Sequence, residues 1–176
     1  DAATLPEGFR AAGIAAGLKP EGLDLGVLVA DPHETTSAAR FTRSGVVAAP
    51  VQVTKERTNL AAIRAVAANS GNANAATGRP GLDEAARMQG AAAMVSGAPA
   101  EQVAVCSTGV IGVQLDGEKV VKGLLAARPE LRRDGALDFA QAIRTTDAID
   151  KHLALEVELP GGTVRLSAQA KGAGMI

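Results

Sequence analysis

"KHLALEVELPGGTVRLSAQAKG" (residues 151–172) alternates apolar and polar positions, breaks at Pro160-Gly161-Gly162, and alternates back. Leu153, Leu155, Val157 and Leu159 fall on one side of an extended chain; Val164, Leu166, Ala168 and Ala170 fall on the matching side of the return. Strand side chains alternate between faces with period two, so the pattern predicts an antiparallel hairpin. Parallel neighbours need a long crossover instead of a tight turn, so strict βαβ alternation is absent. The fold class expected is α+β, in a layered αββα form, and not a doubly wound parallel sheet.

Working outward from the hairpin, "LDFAQAIRTTD" (137–147) and "DGEKVVKGLLAARPE" (116–130) have helical spacing. "EQVAVCSTGVIG" (101–112) reads as a buried strand running into a glycine turn. "GLDEAARMQGAAAMVSG" (81–97) predicts a helix, with Asp83 as its cap and Ala86, Met88, Ala91 and Met94 recurring along it. "NLAAIRAVAANSG" (59–71) supports two readings, helix from its alanines and strand from the Asn-Ser-Gly turn that ends it. "SAARFTRSGVVAAPVQVTKER" (37–57) predicts two strands about a Ser44-Gly45 turn. "LGVLVAD" (25–31) predicts a buried strand stopped at Asp31-Pro32, and the first 24 residues read as loop and short extended pieces. No repeat or linker divides the chain, so a single domain over 1–176 is expected.

Composition excludes several classes of function. With 47% hydrophobic residues among 176, the chain can bury a core, and with only Phe9, Phe41 and Phe139 as aromatics that core must be Val, Leu, Ile and Ala. The 18 basic and 19 acidic residues are well mixed, with no basic stripe and few rings for base stacking, so nucleic acid is not an expected partner. Cys106 is alone, which rules out a disulfide within the chain, and with His33 and His152 it builds no metal cluster without carboxylates. No apolar run approaches the roughly 18 residues that span a bilayer, and no secretory leader is legible, so no membrane partner and a cytoplasmic location are expected.

Chemistry concentrates in a few short stretches. In "NSGNANAATG" (69–78), Asn69, Asn72 and Asn74 either line a polar site or bond to one another in a turn. "CSTGVIG" (106–112) presents backbone N–H groups with the Ser107 and Thr108 hydroxyls, which suits an anion or a developing oxyanion, or merely ends a strand. It is neither a phosphate loop nor a nucleophile elbow. The threonines of "RTTD" (144–147) read first as backbone-bonding residues. Lys171, in "AKGAGM" (170–175), ends a core strand before Gly172 and Gly174 and either reaches water or holds an anionic group. His33 and His152 read as surface residues, and Cys106 as a small core residue and not a nucleophile. Oxyanion and ligand-binding groups are therefore present without a nucleophile beside a base.

"GFRAAGIAAGLKP", "FTRSGVVAAPV", "NSGNANAATG", "STGVIG", "TTD" and "AKGAGMI", in this order from Gly8 to Ile176, resemble the bacterial ornithine acetyltransferases, also called bifunctional glutamate N-acetyltransferases of arginine biosynthesis. The resemblance implies a precursor that cleaves itself before a threonine shortly beyond Ile176. This chain would be its α half, sharing an αββα fold like that of N-terminal-nucleophile hydrolases with a separate β chain. An assembly of two α and two β chains, or larger, is implied. So is acetyl transfer from N2-acetylornithine to glutamate through an acetylated N-terminal threonine of the β chain, whose own amine is the base. By motif match, Thr108 and Gly109 form the oxyanion hole, and Thr145 and Lys171 bind substrate, Lys171 at a carboxylate. No cofactor is implied, and acetyl-CoA stays open as a second donor.

The sequence departs from the family pattern at Ala76, where Cys is frequent, at Asp150, where Pro is common, and in "SAQAKG", which lacks a usual glycine. Two other readings compete. A related self-cleaving amidohydrolase or aminopeptidase would pass the acyl group to water. A non-catalytic ligand-binding module would be a stable monomer, against which the apolar Met175-Ile176 end speaks.

Overall fold

The apolar run at 25–31 forms an inner strand of a four-stranded sheet in the computed structural model, which describes residues 3–31 and 35–173. Strands β1 (Phe9–Ile14), β2 (Leu25–Ala30), β3 (Ala65–Asn72) and β4 (Val103–Val110) lie side by side in that order. The first two pairings are antiparallel and β3–β4 is parallel. Leu25, Val27 and Val29 turn to one face, Gly26 and Leu28 to the other, and both faces are covered, hence the unbroken apolar run.

On the first face, helices α1 (Ala49–Arg57), α2 (Gly78–Ser96) and α3 (Gly117–Ala127) close a core of Val27, Val29, Ala67, Val103 and Val105 against Val53, Met88, Val95, Val120 and Leu124. On the second face, helix α4 (Ala136–Ile143) sets Phe139 and Ile143 against Ala11 and Ala68. Small residues let α4 ride close: a Cβ on Gly26 would stand 2.8 Å from the Phe139 ring.

The segment expected as two strands at 37–57 is instead an irregular stretch followed by α1. Pro50 occupies the first turn, where its missing N–H costs nothing and its fixed φ favours the helix. Thr54 of that helix bonds the Val105 amide and carbonyl through Oγ1, at 3.0 and 3.1 Å, so long-range bonding overrides the β-branched character of Val51 and Val53. The ambiguous run at 59–71 becomes β3, because it is paired on both sides by β2 and β4. Asp83 does not cap α2, which starts earlier; it pairs instead with Arg79 on the exposed side. Met94 of that helix is exposed, while Met88 and Ala91 are buried. The helix at 137–147 stops at Ile143, and Thr145 and Thr146 follow as bends.

The hairpin forms as expected, β5 (Lys151–Leu159) against β6 (Gly162–Ala170), with Leu155 opposite Leu166 and Val157 opposite Val164. It is not core. The apolar face with Leu153, Leu155, Val157, Leu159, Val164 and Leu166 is exposed, while Arg165, Ser167 and Gln169 on the other face are half-buried. Arg165 reaches the Thr4 carbonyl at 2.9 Å. The Pro32 stop, His33, Gly174 and Met175-Ile176 lie outside the described residues.

Candidate active site

The end of β4 carries the candidate site. Thr54 and Thr58 of the α1 region and Gln89 of α2 take up the backbone groups of Val103 and Val105 that face away from β3. At Gly109 the ladder loses its regular alternation, because the β3–β4 register shifts between Gly71 and Asn72. Side chains alternate between the sheet faces. Ser107 turns inward with a buried Oγ, so its hydroxyl is not part of the site the sequence suggested. Thr108 turns to the opposite face, beyond the part of the sheet that α4 covers.

Cys106 shares that uncovered face and is exposed, so it is not the core residue expected from its apolar neighbours. The protein packed around it still desolvates the thiolate and pushes the thiol up, which keeps it protonated and a weak nucleophile. His152 is exposed, as read from the sequence.

Two glycines shape the end of β4. Gly109 has φ +134° and lies so close to β3 that a Cβ would stand 2.3 Å from the carbonyl carbon of Gly71. Gly71, with φ +98°, is in turn pressed onto the Leu18 carbonyl, 2.6 Å from where its own Cβ would be. The fully buried Asp24 holds that outer loop by accepting N–H bonds from Ala16, Leu18 and Lys19 at 2.6, 2.6 and 2.9 Å. Lys19 then donates to the Arg144 carbonyl at 3.1 Å, and burial pulls its ammonium pKa down.

The asparagines bond partly within their own loop and partly outside it, to the turn after β4 and to α2, and among the described residues Asn69 Oδ1 is buried without a hydrogen-bond partner. Asn69 donates to the Asn72 carbonyl, Asn72 accepts from the Asn74 amide and donates to the Val113 carbonyl, and Asn74 donates to the Gly81 carbonyl. Asn72 thereby ties the end of β3 to the turn that follows β4.

Lys171, which directly follows β6, meets Thr108: its Nζ donates to Thr108 Oγ1 at 2.5 Å. An ammonium can only donate, so Thr108 Oγ1 is the acceptor here and its own proton is free for another acceptor. Thr145 does not touch Thr108 through any hydrogen bond of the described residues. It is tied in indirectly, its amide approaching Asp147 Oδ2 at 3.5 Å while Oδ1 of the same carboxylate accepts from the Gly172 amide at 2.7 Å. Asp147 is the residue that motif reading passed over; its spacing of four from Lys151, which donates to it at 2.7 Å, was the available signal. Among the described residues no three His, Cys, Asp or Glu side chains gather to hold a metal, and no helix is long and apolar enough to cross a membrane.

A lysine ammonium on a hydroxyl, at the end of a strand beside a glycine of positive φ, is a place where negative charge can develop. The model of the ArgJ family matches residues 10–176. The chain belongs to the ArgJ family. It is 47% identical over 98% of its length to the arginine biosynthesis bifunctional protein ArgJ of Parasynechococcus marenigrum, covering 43% of that protein. Against the protein of the same name from Symbiobacterium thermophilum, identity is 44%, with 98% and 44% covered. The chain thus spans less than half the length of these curated relatives. It also matches a crystal structure of ornithine acetyltransferase complexed with ornithine from Mycobacterium tuberculosis, with a TM-score of 0.89, 36% identity, and 99% of this chain and 94% of that one covered. The Bacillus halodurans ArgJ crystal structure matches with a TM-score of 0.84 at 38% identity, covering 97% and 89%. Mixed helix and strand content is common to the ArgJ family members and to this chain.

Proposed function

We propose that this chain is the α subunit of an N-acetyltransferase that moves an acetyl group from N2-acetylornithine to glutamate in arginine biosynthesis. The observation that carries it is the Lys171–Thr108 contact in a chain of this family, which leaves the Thr108 hydroxyl proton to meet an oxyanion. The N-terminal threonine of a β chain attacks the acetyl carbonyl, and its amine takes the hydroxyl proton. The tetrahedral oxyanion lies against Thr108 and Gly109. Its collapse breaks the amide C–N bond, and the proton passes to the departing amine of ornithine. The amine of glutamate then attacks the acetyl-threonine ester, forming N-acetylglutamate and restoring the hydroxyl. Thr145 and Lys171 hold the substrate, Lys171 at its carboxylate. No cofactor enters this scheme. The word bifunctional in the relatives' name fits a second donor, acetyl-CoA.

A separate β chain, cut from the same precursor, completes the fold in this reading. The support is twofold. The chain covers 94% of a solved ArgJ-family chain but 43% of a curated relative, as a cut precursor would produce. The hairpin also turns its apolar face outward, which in water is unfavourable by roughly 25 cal/mol for each Å² left bare. Strands of the β chain laid on that face would supply the second layer of an αββα arrangement and make 1–176 one domain shared by two chains. Two of each chain or more, in the cytoplasm, is the assembly proposed.

Denaturing intact mass of the full-length gene product, before and after addition of N2-acetylornithine, tests this. Two chains should appear, the second beginning with Thr and gaining one acetyl group. An uncut, unacetylated product would sink the reading, and release of free acetate without transfer to glutamate would favour the amidohydrolase. Lys171→Ala should raise KM for N2-acetylornithine about 10- to 100-fold, the worth of a hydrogen bond to a charged group. An unchanged KM would remove Lys171 from the substrate site.

A further inference from the structure

We infer that Asp147 is a positioning residue for Lys171, the clamp that fixes where the ammonium of that lysine meets substrate; the inference rests on the acetyltransferase reading. The Asp147 side chain is 1% exposed, yet it bonds to two other segments as well as facing its own loop. Its Oδ1 accepts from Lys151 Nζ, at the base of β5, and from the Gly172 amide, just after β6, both at 2.7 Å. Its Oδ2 faces the Thr145 amide. Lys151 also donates to the Gly172 carbonyl, so Asp147, Lys151 and Gly172 close a ring, and Gly172 is held at both its N–H and its C=O.

Lys171 is the residue immediately before that ring. A lysine side chain has many rotamers, and its head can serve one carboxylate only if its backbone is fixed. Gly172 has φ +130°, and among the described residues nothing lies within 4 Å of a Cβ position, so the backbone direction is what needs glycine there. The chain turns just after Lys171, and Asp147 holds the turn. The hydrogen bond from Lys151 is the main cause that holds the Asp147 carboxyl down from its usual 3.8 to about 2; the Gly172 and Thr145 amides add to it against the opposing effect of burial. A depressed carboxylate contributes its stability above the usual value and loses it as pH falls from about 4 towards 2, so the clamp stays charged at any working pH.

A purely structural role would lower the amount of folded enzyme without moving KM. The test therefore uses the assembled enzyme from the full-length gene, with Asp147→Ala, Asp147→Asn and Lys151→Met, normalised by the fraction of threonine acetylated. Asp147→Ala should raise KM for N2-acetylornithine about tenfold or more. Asp147→Asn, which keeps an acceptor for the Gly172 amide, should raise it less, as should Lys151→Met. Thr163→Ala, at the far end of the hairpin, should leave KM unchanged. Hydrogen exchange of the 170–173 backbone should speed up in the same order. If Asp147→Ala fails to fold, the asparagine and Lys151 variants decide. KM within twofold of wild type and unaltered exchange in those variants overturn the inference while the parent reading stands. Wild type that N2-acetylornithine does not acetylate overturns the parent reading and the substrate part of this one, and the exchange data still decide whether Asp147 holds the segment of Lys171.

Discussion

Gly109→Ala is expected to destabilise the enzyme by about 3 kcal/mol or more and to abolish acetyl transfer in whatever fraction still folds. Two effects add. At φ +134° an L side chain is strained, a penalty of roughly 1–3 kcal/mol. The new methyl would also stand 2.3 Å from the Gly71 carbonyl carbon and 2.6 Å from the Asn72 nitrogen, both backbone atoms of the adjacent strand, which have no rotamer to retreat into. Gly71 cannot yield, because it rests on the Leu18 carbonyl and Asp24 pins that loop through the Ala16, Leu18 and Lys19 amides. The strain must then move β4 itself, and with it the Thr108 hydroxyl. Gly112→Ala is the control: its φ is +82° but among the described residues nothing lies within 4 Å of the added carbon, so only the conformational penalty of roughly 1–2 kcal/mol remains. Urea unfolding of the assembled enzyme measures both. Equal midpoints for the two variants would mean that the close approach of Gly109 to Gly71 is not a constraint.

What was legible in the sequence follows the range of the forces involved. The hairpin and α2 were legible because their signals are local: alternation about Pro160-Gly161-Gly162 in one, helical spacing in the other. Region 37–57 misled because Val46, Val47, Val51 and Val53 favour strands locally, whereas Thr54 gains a bond to the Val105 backbone 51 residues away. The same holds for the hairpin's orientation. Alternation separates an apolar face from a polar one but does not say which meets the body, and here Arg165 binding to Thr4 turns the polar face inward. Of the candidate site, motif matching singled out Thr108 and Lys171, which are in contact in the structure. Among the described residues Thr145 is linked to the Lys171 segment through Asp147, whose partner Gly172 is 25 positions on, a separation that leaves no local pattern. Ser107 was misplaced for a simpler reason, that adjacent residues on a strand face opposite ways.

Thr108→Ala is expected to lower kcat about 10²- to 10³-fold with little change in KM, the loss that follows removal of one oxyanion donor. Because Lys171 already donates to Thr108 Oγ1, the hydroxyl proton is directed elsewhere, and the methyl of alanine offers no replacement. The donor matters only once the carbonyl oxygen carries charge, so ground-state binding is spared and the effect falls on turnover. Thr108→Ser keeps the hydroxyl and should keep most of the rate, whereas Thr108→Val keeps the shape and should resemble alanine. Single-turnover acetylation of the β-chain threonine, followed by intact mass, separates this step from deacylation by glutamate. Acetylation of the alanine variant at the wild-type rate would remove Thr108 from the oxyanion hole. The double variant with Lys171→Ala then reads the contact itself: residues in direct contact should give losses that do not add, and strict additivity would mean that lysine and threonine act on substrate independently despite the bond between them.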